Sequence, residues 1–73
     1  MKRIVVVPDV CGGKPVFEGT RITAQTVIDF LAAGDTIEDV LGAYPVLERA
    51  DVLEALRFTS RILEHQFCIR EVA

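Results

Sequence analysis

Two short glycine-containing segments near the N-terminus, Gly12-Gly13-Lys14-Pro15 and Gly19-Thr20-Arg21, are the first candidates for chemistry in this sequence. The first has a superficial likeness to a phosphate-binding loop. It lacks the GxxxxGK[ST] spacing of that motif, however, and does not join a strand to a long helix. Glycine supplies positive φ angles and proline fixes the backbone, so both segments are interpreted as turns. We predict no nucleotide site here.

The remaining histidine, cysteine and carboxylate side chains do not predict a catalytic or metal site. His65 is the single histidine, and no serine, cysteine or carboxylate stands near it in the pattern of a nucleophile–base pair. Cys11 and Cys68 lack the cysteine and histidine spacing of a zinc site. The acidic pairs Glu38/Asp39 and Asp51/Glu54 are typical of helix starts and solvated helix faces. The sequence therefore predicts a protein that is not an enzyme and needs no cofactor or metal.

Charge is distributed unevenly along the chain. The formal net charge of −3 argues against a general electrostatic attraction to nucleic acid or to an anionic membrane. Residues 23–54 carry seven acidic residues and a single basic one, Arg49, whereas residues 1–22 carry only two acidic ones. If the chain binds DNA, we therefore expect the contact in residues 1–22. The candidate DNA-binding residues are Lys2, Arg3, Lys14 and Arg21.

The elements that must position these residues follow from local patterns. The β-branched run Ile4–Val7, which Pro8 stops, predicts a short strand, and Val16–Phe17 predicts a second one. Residues 4–22 are expected to form a hairpin-like arm. Three helices are expected after it, over about Ala24–Ala33, from Thr36 to Pro45, and over about Arg49–Leu63. Thr23 and Thr36 are predicted N-caps, and Gly34 a left-handed cap.

The predicted fold class is therefore mainly α with a small β part. An N-terminal β-hairpin arm precedes a three-helix bundle of helix-turn-helix type. We expect a single domain over residues 1–73, divided into the arm (1–22), the helical core (23–63) and a C-terminal tail (64–73). The start of the chain has too short an apolar run for a signal peptide or a membrane span, so we expect a cytoplasmic protein with no membrane contact.

The third helix has a wider apolar arc than a small core requires. Helical periodicity predicts that one group of its side chains faces the core: Val52, Ala55, Leu56, Thr59 and Leu63. Phe58 and Ile62 form a flank that we interpret as a candidate partner surface; the alternative is that the arm covers it. Phe67 and Ile69 in the tail are further partner-binding candidates. The chain is 51% hydrophobic, and such surplus apolar surface favours a homo-oligomer, with a dimer as the first expectation.

The ordered set of short motifs resembles a family known as domain of unknown function 433. The resemblance spans Pro8 to Leu56 and rests on Gly12-Gly13-Lys14-Pro15, Gly19-Thr20-Arg21-Ile22, Ala32-Ala33-Gly34, Tyr44-Pro45, Leu47 and Asp51-Val52. The resemblance implies a helix-turn-helix core similar to VapB-type antitoxins, which are considered partners of PIN-like ribonuclease toxins. One departure is Glu48, where the family usually has the serine or threonine N-cap of the third helix, so this helix start is expected to fray.

Two classes of function remain besides a structural homo-oligomer without ligand. The first is an antitoxin-like binding module that neutralises a PIN-like toxin and binds its own operator DNA. The second is a free-standing DNA-binding transcriptional regulator. The start of the third helix, Glu48-Arg49-Ala50-Asp51, would bring carboxylates to phosphates, so that helix is a poor DNA reader. Any DNA contact is expected in the arm.

Overall fold

The computed structural model of the chain describes residues 1–66. Two strands, β1 (Ile4–Val6) and β2 (Pro15–Phe17), precede three helices, α1 (Ala24–Ala32), α2 (Ile37–Ala43) and α3 (Arg49–Gln66). A single turn of 3₁₀ helix, Cys11–Gly13, lies between the strands. The predicted fold class, a β-hairpin followed by three helices, is confirmed.

The two strands form an antiparallel sheet in which Val5 is opposite Val16. The sheet has two apolar faces because neither strand contains a polar residue: β1 is Ile-Val-Val and β2 is Pro-Val-Phe. Phe17 points to the helices and is fully buried in the main core. The predicted arm is therefore an integral part of the core rather than an appendage. On the opposite face, Val16 is also buried.

The first two helices begin at the predicted caps. The Thr23 side chain accepts a hydrogen bond from the Thr26 amide at 3.0 Å. Thr36 and Asp39 form a complete capping box, since each side chain accepts from the other residue's amide. These bonds satisfy amides that have no partner within the helix. After α1, Gly34 adopts the predicted left-handed conformation with φ of 98°.

The main core lies where the three helices meet the hairpin. Its buried members are Phe17, Ala24, Val27, Val40, Leu47, Val52 and Ala55. The predicted α2 stripe packs against it, and the Tyr44 ring meets Phe30 edge-on with centroids 5.8 Å apart. The connection from α2 to α3 is short, as in a helix-turn-helix.

The predicted core face of α3 is partly wrong. Val52 and Ala55 are buried and Thr59 is half-buried, but Leu56 and Leu63 are exposed. The helix is rotated so that Val52 and Ala55, rather than Leu56 and Leu63, face the main core. α3 also continues to Gln66, so the first three residues of the predicted tail are helical.

Candidate functional site

Cys11–Gly13 is the most unusual piece of backbone in the described chain. Cys11, Gly12 and Gly13 have φ angles of 51°, 66° and 78°, all in the left-handed region. Glycine adopts this region without steric cost, whereas a side chain such as that of Cys11 is strained there. The segment is closed by hydrogen bonds from the Gly13 amide to Val10 O and from the Lys14 amide to Cys11 O. The predicted turn is confirmed.

The second glycine segment is held by one side chain. Gly19 has a φ of 79°. The Thr20 hydroxyl donates to Phe17 O at 2.8 Å and accepts from the Ile22 amide at 3.0 Å. The Phe17 amide donates to Ile22 O across the same loop. The Gly-Thr combination is thus explained by turn geometry, and the loop places Arg21 at the surface.

The two segments lie side by side. The Cys11 thiol donates to Arg21 O at 3.2 Å, which joins the two turns. Lys14 and Arg21 both have exposed side chains. The structure therefore places two of the four predicted DNA-binding residues, Lys14 and Arg21, on loops that the Cys11–Arg21 hydrogen bond joins.

The other two basic candidates differ from each other. Arg3 is exposed. Lys2 is only partly exposed, because its ammonium group donates to Val46 O at 3.0 Å and lies 3.9 Å from an Asp51 oxygen. The Lys2 ammonium group therefore makes its contacts within the domain.

Asp51 has a role that the sequence did not reveal. Its side chain is fully buried, and its two oxygens accept from the backbone amides of Lys2 and Glu48. Burial raises the pKa of Asp51, but the two amide hydrogen bonds and the nearby charges of the Lys2 ammonium and the N-terminus outweigh it, so the net pKa is lowered. The weak N-cap predicted at Glu48 is compensated, because the Glu48 amide donates to the Asp51 side chain, and this bond is half of a capping box.

The outer face of the hairpin carries an apolar cleft that the sequence reasoning missed. Its volume is about 520 Å³, and its walls include Val5, Val7, Val10, Val16 and Arg21. The uninterrupted run Ile4–Val7 is the signal that could have found it, because such a run is typical of a strand that is covered on both faces.

The predicted partner flank of α3 lies over a smaller groove. Phe58 is half-buried and Ile62 is 39% exposed. Together with Pro15, Ala24 and Ile28 they line a groove of about 180 Å³ between α3, α1 and β2. The flank is therefore partly covered by α1 and β2. Phe67 and Ile69, the other two partner candidates, lie outside the described residues.

The far end of α3 presents further apolar side chains. From Ser60 to His65 every residue is exposed, and Leu63 is 48% exposed. A separate polar strip has Glu54 paired with Arg57 at 3.1 Å and with Arg61 at 3.4 Å. In this part of α3, leucine and isoleucine side chains thus face solvent beside an ion-pair network.

Within residues 1–66, no three potential metal-ligating side chains converge. No helix in that range is long and apolar enough to cross a membrane. The features that the geometry does offer are an apolar cleft, an apolar groove and an exposed helix end, all of which are typical of binding surfaces. By its fold, the protein is a small helical domain with an N-terminal β-hairpin.

The chain belongs to the DUF433 family, described as "Protein of unknown function (DUF433)", which matches residues 4–59. A solved structure of a DUF433 member protein from Anabaena variabilis ATCC 29413 is similar to it, with a TM-score of 0.80 and 28% sequence identity. The similarity covers 88% of this chain and 63% of that one.

A curated relative, "Uncharacterized protein y4eO" of Sinorhizobium fredii (strain NBRC 101917 / NGR234), is 44% identical over 41 residues. That alignment covers 56% of this chain and 19% of the relative. The chain thus matches about a fifth of the length of this relative.

Proposed function

We propose that this chain is a protein-binding module of antitoxin type, whose partner is a PIN-like ribonuclease. The partner class comes from the resemblance to VapB-type antitoxins. The observation that carries the binding role is the far end of α3, where Leu63 is exposed and Ile62 is exposed beside the groove that α3 forms with α1 and β2. Exposed apolar side chains beside polar ones are typical of recognition surfaces.

The geometry favours a helix-mediated contact. α3 has 18 residues and is about 27 Å long, roughly twice the length of α1. A partner groove can therefore receive the far end without displacing the core. The ion pairs of Glu54 with Arg57 and Arg61 keep the neighbouring strip polar, which sets the direction from which an apolar groove can approach.

Co-expression tests this proposal. The tagged chain is co-expressed with its genomic neighbours, among which we expect a PIN-like protein, and the mass and ribonuclease activity of the purified complex are measured. We expect a stoichiometric complex with suppressed ribonuclease activity. The double variant Ile62→Asp/Leu63→Asp should weaken binding at least about tenfold, because it places charge on the buried part of the contact.

His65→Asp is the matched control, since it adds negative charge on the same exposed helix end but on its polar side. It should bind within about twofold of the unmodified chain. A double variant that binds and inhibits as well as the unmodified chain would remove α3 from the contact. Absence of any complex would overturn the antitoxin proposal itself.

A second candidate is DNA binding by the arm, favoured by the exposed side chains of Lys14 and Arg21 on joined loops. Titration of a fluorescent duplex from the chain's own promoter region tests it. We expect the slope of log affinity against log salt concentration to fall by about one unit for each of Lys14→Gln and Arg21→Gln. No binding of the unmodified chain at low salt excludes this candidate.

A further inference from the structure

Along the outer edge of β1, the Lys2 amide is bonded to Asp51 of α3, whereas the backbone groups of Ile4 and Val6 have no partner within residues 1–66. The Glu18 amide donates to Arg3 O at 2.8 Å, so the backbone groups of Arg3 face β2. Val5, two residues after Arg3, lies opposite Val16 and also faces β2. Backbone groups in an antiparallel pair alternate in direction, so those of Ile4 and Val6 point away from β2. Neither residue has a backbone hydrogen-bond partner on that side among residues 1–66. The Val6 side chain is 59% exposed.

We propose that this edge binds the same edge of a second copy of the chain. The two β1 strands run antiparallel, and the two-fold axis that relates them passes midway between the Val5 residues of the two copies. Ile4 of each copy then pairs with Val6 of the other, and each such pair exchanges two backbone hydrogen bonds. The hairpins of two copies become one four-stranded sheet, which removes both open edges.

This register is the one that the strand supports best. It keeps every bonded residue within Ile4–Val6. A shift toward the C-terminus would use Pro8, which has no N–H and lies in a turn closed by the bond from the Val10 amide to Val7 O. A shift in the other direction would use Lys2, whose amide already donates to Asp51.

Side chains favour a second copy as the occupant. On the cleft side, Val5 of one copy lies directly opposite Val5 of the other, which joins the two valine clefts into one apolar row. On the other side, the exposed Val6 meets Ile4. The antiparallel direction also brings the exposed Arg3 of one copy toward the exposed Asp9 of the other. Parallel strands in register would instead place the two Arg3 residues together and the two Asp9 residues together.

The proposed interface is separate from the far end of α3. It uses β1, and the proposed toxin contact uses Ile62 and Leu63. A dimer can therefore present two α3 ends at once. The two proposals fail independently, because a monomeric chain can still bind a toxin and a dimer can lack one.

Sedimentation of the purified chain, with variants at Val6, tests the pairing. The unmodified chain should sediment at twice its 8.1 kDa mass. Val6→Pro removes a donor that no residue within the described chain uses, so the hairpin remains while the dimer is lost. Val6→Thr keeps both the N–H and a β-branched side chain and should remain dimeric. A monomeric unmodified chain, or a dimeric Val6→Pro variant with unchanged helical circular dichroism, overturns the proposal.

Cross-linking tests the register and does not depend on proline tolerance. Val5→Cys is made in a background in which Cys11 and Cys68 are replaced by serine. Opposed residues at such an axis lie about 4.5 Å apart between Cα atoms, within the range for a disulfide. Oxidation should therefore give a covalent dimer.

Arg3→Cys in the same background is the matched control, because Arg3 lies on the same face but pairs with Val7 of the other copy. Its two symmetry-related thiols would be about 13 Å apart, so oxidation should leave monomers. Equal cross-linking of both variants, or none in Val5→Cys, contradicts the register. If β1 pairs with a different protein instead, the unmodified chain should be a monomer, and Val6→Pro should lose binding to that protein. This result would also overturn pairing with a second copy.

Discussion

The two ends of α3 are built in opposite ways. At its first turn, Asp51 is fully buried and bonded to two backbone amides, one of which lies 49 positions earlier in the chain. At its far end, Ile62 and Leu63 face solvent. A buried carboxylate with matched donors fixes one exact position, whereas exposed apolar side chains fix none. The first end is therefore tied to the start of the chain, whereas Ile62 and Leu63 at the far end remain exposed.

Replacing Asp51 gives the sharpest test of this difference. Asp51→Ala leaves the part-buried Lys2 and Glu48 amides without their acceptor and removes the carboxylate that lies 3.9 Å from the Lys2 ammonium. We expect the free energy of unfolding to fall by about 3 kcal/mol, measured by urea denaturation. For a domain of this size, such a loss is a large part of the total stability.

Leu63→Ala is the control at the far end. Because Leu63 is largely exposed, its loss should change the unfolding free energy by less than about 0.5 kcal/mol. A loss at Leu63 comparable to that at Asp51 would show that the far end also supports the fold, and the contrast between the two ends would not hold.

Local signals in the sequence predicted most of the elements. Thr23 and Thr36 were recognised as caps because each needs only an amide three residues along. Gly34 was recognised because a left-handed residue after a helix favours glycine. These features depend on a few neighbouring residues, so their residue types alone predict them.

The orientation of α3 was not predictable in the same way. Its periodicity gives a wide apolar arc, and any part of that arc could face the core. Which part does so depends on contacts with residues distant in the sequence, such as the hydrogen bond from the Lys2 amide to Asp51. Leu56 and Leu63 were therefore assigned to the core although they are exposed.

The candidate sites also differ in whether residue types alone predict them. Charge alone predicts four DNA-binding candidates, Lys2, Arg3, Lys14 and Arg21, and the Cys11–Arg21 hydrogen bond joins the loops that carry Lys14 and Arg21. The open edge of β1 could not be predicted, because it depends on which residues of the strand face β2. That alternation is set by the pairing register of the hairpin.

Acid should weaken the first end of α3 selectively. The pKa of Asp51 is lowered in the folded state, so its contribution to stability is fully present above the ordinary value of 3.8 and is lost as pH falls toward the folded-state pKa. The free energy of unfolding should therefore decrease as pH drops below about 4. Urea midpoints measured at pH 7 and pH 3 should fall less for Asp51→Asn than for the unmodified chain.

The decrease in that variant should be smaller but not zero, because the capping-box bonds with Thr36 also lower the pKa of Asp39. Asp39→Asn is therefore the comparison that separates the two carboxylates. The Asp51 carboxylate accepts from two backbone amides and lies near two positive charges, whereas the pKa of Asp39 is lowered only by its bonds with Thr36. The pH dependence should therefore be reduced more by Asp51→Asn than by Asp39→Asn. An equal reduction in the two variants would mean that the buried carboxylate is no better stabilised in its ionised form than an exposed helix cap.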